Sequence, residues 1–400
     1  MVEIKQAVIF AGGLGERLRP LTNDRPKPMV LVNDKPFLEH LISLLKENGI
    51  REVLILLGYL PEKIKNYFGD GSNFGIKINY HIGQVDDETG TRLNNAKHLL
   101  HNHFLLMYGD NYWPMNLKKM IDFYENMGVL GSTTVYNNQD GGAEYGAENN
   151  VQVSQDGYVL KYDKNRQDPD LNGVDIGFFI MNKKVLDLVP VGNFSFEREV
   201  LSQLASMQQL VGFRTDHPYY WMTTLESVKI MGKFLSPKKV VFLDRDGVIN
   251  KKIPDHCYVT KWDEFEFLPG IVEALKQLDQ DSYQIYIITN QQGVGRGVMT
   301  EANLVSIHQQ MLRELSRHGV TITDIYYCPH NKTDYCDCRK PRSGLLFRAA
   351  REHYLDLTRV ILIGDSQKDI DAGATAGCQT ILLPVGKDLL EMMAISVGSK

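Results

Sequence analysis

Two aspartates separated by one residue, Asp244 and Asp246, form the pair in this chain whose type and spacing best suit phosphate chemistry. They directly follow the apolar run 240–243, which has the composition of a buried parallel strand. Because ligands of parallel sheets bind beyond the carboxyl ends of the strands, both carboxylates are expected at a site. One carboxylate could attack phosphorus and help to hold a cation. The other could protonate the leaving oxygen and later activate water.

Two further apolar runs also end in polar residues. The run 285–288 leads into Thr289 and Asn290, a hydroxyl and an amide against which a phosphate could rest. The run 360–363 leads through a glycine into Asp365. A third carboxylate at this edge would complete an oxygen-rich site of the kind that Mg²⁺ prefers.

A lysine outside these runs completes the predicted phosphatase site. Lys340, which follows Arg339, offers a fixed positive charge to phosphoryl oxygens. Two aspartates at this spacing are common in surface turns and carry little weight alone. Separate elements that place polar groups at matching strand ends together indicate a magnesium-dependent phosphatase of the aspartyl-phosphate type.

Three of the five cysteines crowd into one short segment together with a histidine. The four side chains are Cys328, His330, Cys336 and Cys338. Three thiolates and one imidazole fill the tetrahedral shell of Zn²⁺ and leave no open position, so the predicted site is structural. Its expected role is to fix the basic residues that follow its last ligand. The alternative is a chance cluster of buried cysteines.

Near the start of the chain, a glycine-rich turn follows the apolar run 7–10. The glycines and basic residues of this region are Gly12, Gly13, Gly15, Arg17 and Lys27. Glycines let the backbone close around phosphates, and the basic side chains can neutralise them. The pattern is neither a Walker sequence nor a complete dinucleotide fingerprint, because Leu18 occupies the third glycine position.

The elements that must position these residues alternate between strands and helices. Apolar residues at helical spacing predict helices over 37–47 and 117–127, and solid apolar runs predict buried strands over 53–57 and 104–108. This alternation is typical of a doubly wound α/β sheet. The shorter segments of 129–213 predict a mixed region attached to the first sheet.

A polar, proline-containing break at 236–239 is followed by a restart of the strand pattern. We therefore predict two domains, 1–235 and 236–400. The formal net charge of −5 gives no basic footprint for nucleic acid. Since the chain has no apolar run near the ~20 residues of a membrane span and no signal-peptide pattern, we expect a cytoplasmic protein without membrane or nucleic-acid partners.

The second domain resembles the haloacid-dehalogenase (HAD) superfamily of phosphohydrolases over about residues 238–385. The closer similarity is to D-glycero-D-manno-heptose 1,7-bisphosphate phosphatases and histidinol phosphatases. The segments that carry it are 244–250, 265–270, 289–297 and 336–341. The resemblance implies a capless α/β sheet with a zinc loop. It implies Asp244 as nucleophile, Asp246 as acid/base, magnesium ligands on Asp244, Asp246 (its carbonyl) and Asp365, phosphoryl contacts from Thr289 and Lys340, and substrate contacts from Asn290, Arg296 and Arg339.

The first domain resembles the sugar-1-phosphate nucleotidylyltransferases over about residues 3–234, on its glycine-rich turn and the Pro-Lys-Pro at 26–28. The resemblance implies a Rossmann-like sheet in which a sugar phosphate attacks the α-phosphorus of a nucleoside triphosphate. Positioning and Mg²⁺ would drive this step. The implied roles are triphosphate binding by Arg17 and Lys27, magnesium binding by Asp110, base reading by Gln84, a sugar or base loop at 88–91 that includes Gly90, sugar-phosphate binding by Lys164 and sugar-hydroxyl binding by Glu197.

One position departs from the pattern of these transferases. Their second metal-binding aspartate aligns here with Thr223, whose neutral hydroxyl is a poorer ligand for Mg²⁺ than a carboxylate. Asp216 could take its place, or the domain could be slow or inactive.

Together these features predict a bifunctional enzyme of nucleotide-activated heptose synthesis, with a sugar phosphate and a nucleoside triphosphate as its partners. The phosphatase would remove the 7-phosphate of a heptose 1,7-bisphosphate. The first domain would join the heptose 1-phosphate to a nucleotide, with GTP favoured. Three alternatives stay open: a histidinol-phosphate phosphatase, a phosphatase whose degenerate first domain only binds nucleotide and regulates, and a phosphatase that acts on several small phosphate esters.

Overall fold

The computed structural model describes residues 2–139, 141–252, 254, 257–384, 386–387 and 389–397. The chain divides into two compact units, Met1–Ser236 and Pro237–Lys400, which we call unit 1 and unit 2. The division lies within the polar break of the sequence, one residue from the predicted boundary.

Unit 1 alternates strands and helices over most of its length. Its strands are β1 (Gln6–Ala11), β2 (Leu31–Val32), β3 (Lys35–Pro36), β4 (Glu52–Leu57), β5 (Lys77–Ile82), β6 (His103–Tyr108), β7 (Asn111–Tyr112), β8 (Gly131–Tyr136), β9 (Val151–Val153), β10 (Val159–Tyr162), β11 (Val174–Asn182), β12 (Leu210–Thr215) and β13 (Tyr220–Trp221). Its α-helices are α1 (Phe37–Glu47), α2 (Pro61–Phe68), α3 (Thr89–Asn95), α4 (Leu117–Met127), α5 (Ser202–Ser206) and α6 (Leu225–Leu235).

The main sheet of unit 1 has seven strands in the order β12-β8-β11-β6-β1-β4-β5. Strands β6, β1, β4 and β5 are parallel, which brings their carboxyl ends to one edge. Strand β11 runs antiparallel to both of its neighbours. Every residue of β1 is buried, as expected for a strand covered on both faces.

The region 129–213 differs from the prediction of a mixed segment attached to the sheet. It supplies β8, β11 and β12, which pair within the main sheet itself. Only β9 and β10 form a separate antiparallel pair. The difference arises because these strands pair with partners that are distant in sequence, which the local apolar pattern does not reveal.

Helices α1 and α4 have the predicted bounds. The side chain of Asn116 accepts a hydrogen bond from Lys119 N and caps the start of α4. Gly128 ends the same helix in the left-handed conformation, with φ of 64°. These local signals explain why the ends of α4 can be read from the sequence.

Unit 2 contains a five-stranded parallel sheet in the order β16-β15-β14-β17-β18. Its strands are β14 (Lys239–Leu243), β15 (Tyr283–Asn290), β16 (Asp324–Cys328), β17 (Val360–Gly364) and β18 (Gln379–Leu382). Its helices are α7 (Ile271–Gln280), α8 (Gln292–Gly295), α9 (Glu301–Arg317), α10 (Gly344–His353), α11 (Gln367–Ala376) and α12 (Leu389–Val397).

Two apolar cores cover the two faces of this sheet. Val241 and Leu243 of β14 belong to one core, and Val240 and Phe242 belong to the other. This alternation follows from the two-residue period of a strand. Since β14 lies between β15 and β17, the residues that follow it lie at the middle of the carboxyl edge. Among the residues described, no helix combines the length and apolarity needed to cross a membrane.

Candidate active sites

Three carboxylates meet at the carboxyl edge of the unit 2 sheet. Oxygen atoms of Asp244, Asp365 and Asp369 all lie within 4.8 Å of one another. The backbone N of Asp244 donates to Ile363 O at 2.9 Å, which ties the end of β14 to β17. Gly247 has a φ of 93°, and a Cβ atom there would lie 2.2 Å from Asp365 Oδ2. The close approach of the loop to Asp365 therefore requires glycine.

Lys340 lies among these carboxylates. Its Nζ atom is 3.0 Å from Asp244 Oδ1 and 2.5 Å from Asp369 Oδ1, and it donates to Ile288 O at 2.6 Å. Burial alone would lower the pKa of Lys340, but Asp244 and Asp369 outweigh burial and raise it, so the lysine stays charged. Asn290 fixes the lysine backbone through two hydrogen bonds of 3.0 Å, one to Lys340 O and one from Lys340 N.

The carboxylate cluster has the donor set of a magnesium site. Burial raises the pKa of Asp244 to about 6, with Lys340 opposing this effect and Asp369 and Asp246 adding to it. A divalent cation favours the ionised form of such a carboxyl group and offsets the cost of burying it. Three adjacent oxygen donors with excess negative charge therefore fit Mg²⁺.

Asp246 lies in a dense set of hydrogen bonds. It accepts from Arg245 Nη2 at 2.9 Å, from Asn250 Nδ2 at 2.9 Å and from Gln291 Nε2 at 2.8 Å. Burial would raise the pKa of Asp246, but the Arg245 charge and the donors around it outweigh burial and lower the pKa. Gln291 Nε2 also lies 2.9 Å from Thr289 Oγ1, so it links the two predicted catalytic side chains.

Arg245 links Asp246 to the buried side chain of His308. Arg245 is 1% exposed, and its Nη1 atom lies 3.1 Å from His308 Nε2. Burial and the Arg245 charge lower the pKa of His308 to about 3, so the imidazole is neutral and can accept from the guanidinium.

Several of these residues were not among the predicted site residues. Asp369, Arg245, Gln291 and His308 were all missed. Asp369 had a local signal, because Ser366 and Asp369 form the capping box of α11 just beyond the strand that precedes Asp365. Arg245 had none, since a basic residue between two acidic ones reads as part of a surface turn.

A cavity of about 410 Å³ adjoins Asp246 and is rich in basic residues. Besides Arg245, the cations that line it are Lys252, Arg296, Lys332, Arg339 and Lys368. Arg339 is oriented by Gln292, whose Oε1 accepts from Arg339 Nη2 at 3.2 Å. The cavity also includes Asn290, so the predicted substrate-binding residues Asn290, Arg296 and Arg339 lie together. Such a lining favours a substrate with more negative charge than one phosphate carries.

The predicted zinc ligands also converge. Cys328 Sγ lies 3.6 Å from Cys336 Sγ, and Cys338 Sγ lies 3.4 Å from Cys336 Sγ. His330 Nδ1 lies 3.2 Å from Cys338 Sγ and 3.7 Å from Cys328 Sγ. A tetrahedral Zn²⁺ shell with bonds of about 2.0 to 2.3 Å has edges of roughly 3.3 to 3.8 Å. The cluster can therefore hold a metal ion.

In unit 1 the glycine-rich turn borders a cavity of about 590 Å³. The predicted residues among those that line it are Gly12, Gly13, Gly15, Arg17, Lys27 and Asp110. Gly15 has a φ of 64°, which explains the glycine there. Lys27 Nζ lies 2.5 Å from Asp110 Oδ2. The predicted phosphate-binding and metal-binding groups of the transferase therefore share one cavity.

Two predicted nucleotide-binding residues lie elsewhere. Gln84 is exposed and is not among the residues that line the cavity. In this loop, the first residue that lines the cavity is the next one, Val85. Gly90 is buried, where a Cβ atom would lie 2.4 Å from the ring of Phe194. In this arrangement Gly90 permits close packing, while its neighbour Thr89 lines the cavity.

Thr223 lines the same cavity as Asp110. The backbone N of Met222 donates to Asp110 O at 2.8 Å, which holds the two segments together. Thr223 Oγ1 donates to Glu144 Oε1 at 2.7 Å, so a carboxylate from another loop lies beside the threonine. Asp216, the proposed substitute, is exposed and accepts from Asn137 Nδ2 at 2.7 Å.

The predicted sugar-phosphate residues lie next to each other. Glu197 belongs to a π-helix, Phe196–Leu201, and its Oε2 atom lies 3.5 Å from Lys164 Nζ. It accepts from Ser195 Oγ at 2.7 Å, from Thr89 Oγ1 at 2.9 Å and from the hydroxyl of Tyr108. Burial would raise the pKa of Glu197, but Lys164 and these donors outweigh burial and lower it. Glu197 is therefore a buried anion that several donors hold in place.

Comparison with known families agrees with both units. Residues 6–222 match the nucleotidyl transferase family, and residues 337–394 match the HAD-hydrolase-like family. The fold and sites thus define a two-domain enzyme in which a HAD-like phosphatase domain is fused to a nucleotidyltransferase domain.

Individual relatives extend this comparison. The chain is 40% identical over 161 residues to the D-glycero-beta-D-manno-heptose-1,7-bisphosphate 7-phosphatase of Pasteurella multocida, across 38% of this chain and 86% of that protein. It is 41% identical over 145 residues to the D-glycero-alpha-D-manno-heptose-1,7-bisphosphate 7-phosphatase of Campylobacter jejuni, across 36% of this chain and 81% of that protein. The chain belongs to the nucleotidyl transferase family and, through its phosphatase domain, to the family of these heptose-bisphosphate phosphatases.

Two solved structures are also similar. One is the D,D-heptose 1,7-bisphosphate phosphatase from B. bronchiseptica with magnesium and phosphate, with 37% identity over 39% of this chain and 86% of that chain and a TM-score of 0.36. The other is HddC from Yersinia pseudotuberculosis, with 23% identity over 57% of this chain and 99% of that chain and a TM-score of 0.49.

Proposed function

We propose that this chain is a bifunctional enzyme of nucleotide-activated heptose synthesis. Unit 2 removes the 7-phosphate from a D-glycero-D-manno-heptose 1,7-bisphosphate, and unit 1 transfers a nucleotidyl group to the resulting heptose 1-phosphate. The observation that carries the proposal is the cation-lined cavity beside the Asp244, Asp246 and Lys340 cluster. The identity to two heptose-bisphosphate phosphatases supports the choice of sugar.

In the first half of the phosphatase reaction, a carboxylate oxygen of Asp244 attacks the 7-phosphorus. The bond from phosphorus to the sugar oxygen breaks, and that oxygen takes a proton from Asp246. The product is a phosphoryl group on Asp244 and a free sugar hydroxyl. Lys340 and the Thr289 hydroxyl hold the oxygens of the transferring group, and Lys340 neutralises part of their charge.

In the second half, Asp246 takes a proton from a water molecule, whose oxygen attacks the phosphorus. The bond from phosphorus to Asp244 breaks, which releases inorganic phosphate and restores both aspartates. The lowered pKa of Asp246 in the resting site leaves it ionised. The negative charge of an arriving phosphate raises the pKa of a neighbouring carboxyl group, which prepares Asp246 to act as the acid.

The metals of this proposal are Mg²⁺ at the carboxylate cluster and structural Zn²⁺ at the cysteine loop. Asp244, the carbonyl of Asp246 and Asp365 would hold Mg²⁺, which supplies charge stabilisation to the phosphoryl oxygens when bound. The zinc ligands precede Lys340 directly, so a rigid loop would fix the lysine and Arg339. Zinc content near zero in fully active protein would remove the structural-metal claim.

The charge of the cavity separates the two phosphatase hypotheses. Histidinol phosphate carries an ammonium group, whereas a heptose 1,7-bisphosphate carries a second phosphate. Arginine side chains such as Arg296 and Arg339 are well suited to bind that phosphate. The test compares kcat/KM for both anomers of the bisphosphate with kcat/KM for histidinol phosphate. A higher value for histidinol phosphate would overturn the heptose assignment.

For unit 1 we propose that an oxygen of the heptose 1-phosphate attacks the α-phosphorus of GTP and that pyrophosphate leaves. Arg17 and Lys27 would neutralise the triphosphate, and Lys164 would hold the sugar phosphate. Asp110 is the proposed magnesium ligand. The choice of GTP is supported by Asp86, which lines the cavity. A carboxylate there can accept from the adjacent N–H donors of guanine, whereas Glu88, which also lines the cavity, pairs with Arg198 at 2.8 Å.

The neutral hydroxyl of Thr223, at the position where the resembled transferases carry a second metal-binding aspartate, favours a second candidate, in which unit 1 only binds nucleotide and regulates the phosphatase. Pyrophosphate release with heptose 1-phosphate and each of GTP, CTP, ATP and UTP decides between them. Turnover fastest with GTP supports the transferase. Nucleotide binding without any pyrophosphate release supports the regulatory domain.

A further inference from the structure

Arg92 in α3 is a buried cation that the proposed reaction does not use. It is 4% exposed, and burial lowers the pKa of its guanidinium while the nearby Asp87 and Asp86 oppose that effect. Its Nη1 atom donates to Leu57 O at 3.0 Å, and its Nη2 atom donates to Val85 O at 2.8 Å. Leu57 ends β4, and Val85 lies in the loop after β5. One guanidinium group therefore joins two segments that are distant in sequence.

Glycines surround this guanidinium group. Strand β1 is followed by Gly12, β4 by Gly58 and β5 by Gly83. A Cβ atom on Gly12 would lie 2.5 Å from Arg92 Nη1, and one on Gly58 would lie 2.6 Å from it. A Cβ atom on Gly83 would lie 3.5 Å from the same nitrogen. The guanidinium thus occupies the space that a side chain at Gly12 or Gly58 would need, whereas a Cβ atom on Gly83 would meet Asp87 Oδ2 at 2.5 Å.

The same segments form a wall of the unit 1 cavity. Gly12 and Gly13 of the phosphate turn line it, as do Arg92 itself and the loop residues 85–88. The loop is closed by Asp87, whose Oδ2 atom accepts from Gln84 N at 2.8 Å. A rigid fork of donors can hold carbonyl groups of two segments at once, which the single ammonium of lysine does less well.

We propose that Arg92 is a positioning residue for the nucleotide. It fixes the loop 83–88 relative to the phosphate turn, so it determines both the affinity for the nucleoside triphosphate and the preference for one base. This inference rests on the proposed nucleotidyl transfer in unit 1. The role differs from charge neutralisation, because backbone carbonyl groups hold the guanidinium.

The test uses the full chain and three variants, Arg92→Met, Arg92→Lys and Gly58→Ala. The matched control is Arg51→Met, which removes an exposed arginine before the opposite end of β4. Titration calorimetry with GTP and Mg²⁺, without sugar phosphate, gives the dissociation constant and the fraction of competent protein. The ratio of kcat/KM for GTP to that for each other nucleotide gives the base preference.

We expect Arg92→Met to raise the dissociation constant of GTP at least tenfold. It should also lower the ratio of kcat/KM for GTP to that for the other nucleotides. Gly58→Ala should act in the same direction although it keeps the arginine, because its Cβ atom would lie 2.6 Å from both Arg92 Nη1 and Gly12 O, where the guanidinium meets the phosphate turn. Arg92→Lys should fall closer to the methionine variant than to the wild type. The Arg51→Met control should match the wild type.

Wild-type affinity and base preference in folded Arg92→Met and Gly58→Ala would overturn the inference. A merely structural role would reduce the competent fraction and the melting temperature, but leave the affinity and base preference of the remaining protein unchanged. That pattern also overturns it. Should Arg92→Met fail to fold, the lysine and Gly58 variants decide. Absence of nucleotide binding in the wild type would instead refute the proposed function of unit 1.

Discussion

Among single residues, Lys340 controls the charge balance of the phosphatase site. It lies 3.0 Å from Asp244 and 2.5 Å from Asp369, and all three side chains are largely removed from water. Unpaired charges in such a setting would cost several kcal/mol each. Lys340 and each of the two carboxylates therefore keep one another ionised, and Asp244, the proposed nucleophile, depends on the lysine for its charge.

Replacing the nucleophile tests the assigned chemistry directly. We expect Asp244→Asn to lower kcat for bisphosphate hydrolysis by at least about a thousandfold, because an amide oxygen is a poor nucleophile toward phosphorus. Pyrophosphate release by unit 1 should be unchanged. The control is Asp263→Asn, an exposed aspartate of the same unit, which should retain full activity. Substantial hydrolysis by Asp244→Asn would mean that another group attacks phosphorus.

Gly247 offers a second test, of close packing rather than of charge. Gly247→Ala places a Cβ atom 2.2 Å from Asp365 Oδ2 at a φ of 93°, so we expect weaker Mg²⁺ binding and a large loss of phosphatase activity. Gly270→Ala is the matched control, with a φ of 75° and no atom within 4 Å. Both variants should lose about 1 kcal/mol of stability from backbone strain. Equal activity in the two variants would contradict the proposed contact with Asp365.

Among the helices, α9 contributes His308, which makes the stability of unit 2 depend on pH. The pKa of His308 falls from its ordinary value of 6.5 to about 3 in the folded chain. The unfolded chain therefore binds more protons between these values, and stability falls as the pH drops through that window. The slope is at most about 1.4 kcal/mol per pH unit.

The matched variants His308→Gln and His318→Gln isolate this effect. His318 lies at the end of the same helix and is half exposed to solvent. Between pH 7 and 5, chemical unfolding of His308→Gln should lose less stability than the wild type, by about 1 to 2 kcal/mol. The His318 variant should follow the wild type. Parallel curves for all three proteins would show that His308 is not buried in its neutral form.

The cysteine loop is the second element whose role can be tested. Cys338→Ser removes one of the four proposed zinc ligands. We expect loss of bound zinc, a fall in phosphatase kcat because Lys340 and Arg339 are less well fixed, and a lower melting temperature. Metal analysis and activity measured on the same preparation check this. Cys378→Ser, a buried cysteine outside the loop, is the control for loss of a thiol. Full zinc content in Cys338→Ser would exclude that thiol as a ligand.

Secondary-structure elements that the local sequence pattern indicates were predictable. Strands β1, β4, β14 and β17 are apolar runs because parallel strands are buried on both faces, and α4 carries its own end signals. Strand β15 extends through Asn290, so Thr289 lies within the strand rather than beyond it. The place of β11 in the sheet was not predictable, because it depends on pairing with β6 and β8, which are distant in sequence.

The same distinction applies to the sites. Asp244, Asp365 and Lys340 were predicted together because each is charged and follows a recognisable strand or motif. The roles of Arg92 and Arg245 were not predicted, although Arg245 lies within the segment 244–250, since an arginine reads as a surface residue unless its acceptors are known. Both are buried by contacts with segments far along the chain. Local sequence patterns therefore predict the proposed reacting groups well. They predict the groups that position those residues less well.

At the scale of the whole molecule, each unit has its own sheet, its own core and its own candidate site. The polar break at 236–239 connects them. The two proposed reactions share one intermediate, the heptose 1-phosphate. Nothing in the chemistry of either site requires a residue from the other unit, so the two activities should be separable.

We therefore expect residues 1–236 and 237–400, produced as separate proteins, to fold and to retain their activities. Each should keep kcat and KM within about twofold of the full chain, since each buries enough apolar surface for an independent domain.

Mixing the two proteins should convert heptose 1,7-bisphosphate and GTP to the nucleotide sugar with a lag while the intermediate accumulates. A lag of equal length in the full chain means that the covalent link gives no kinetic advantage and only ensures that both units are produced together. A shorter lag at equal enzyme concentration means that the covalent link raises the local concentration of the intermediate at unit 1. Loss of folding or of either activity on separation would contradict the independence of the units.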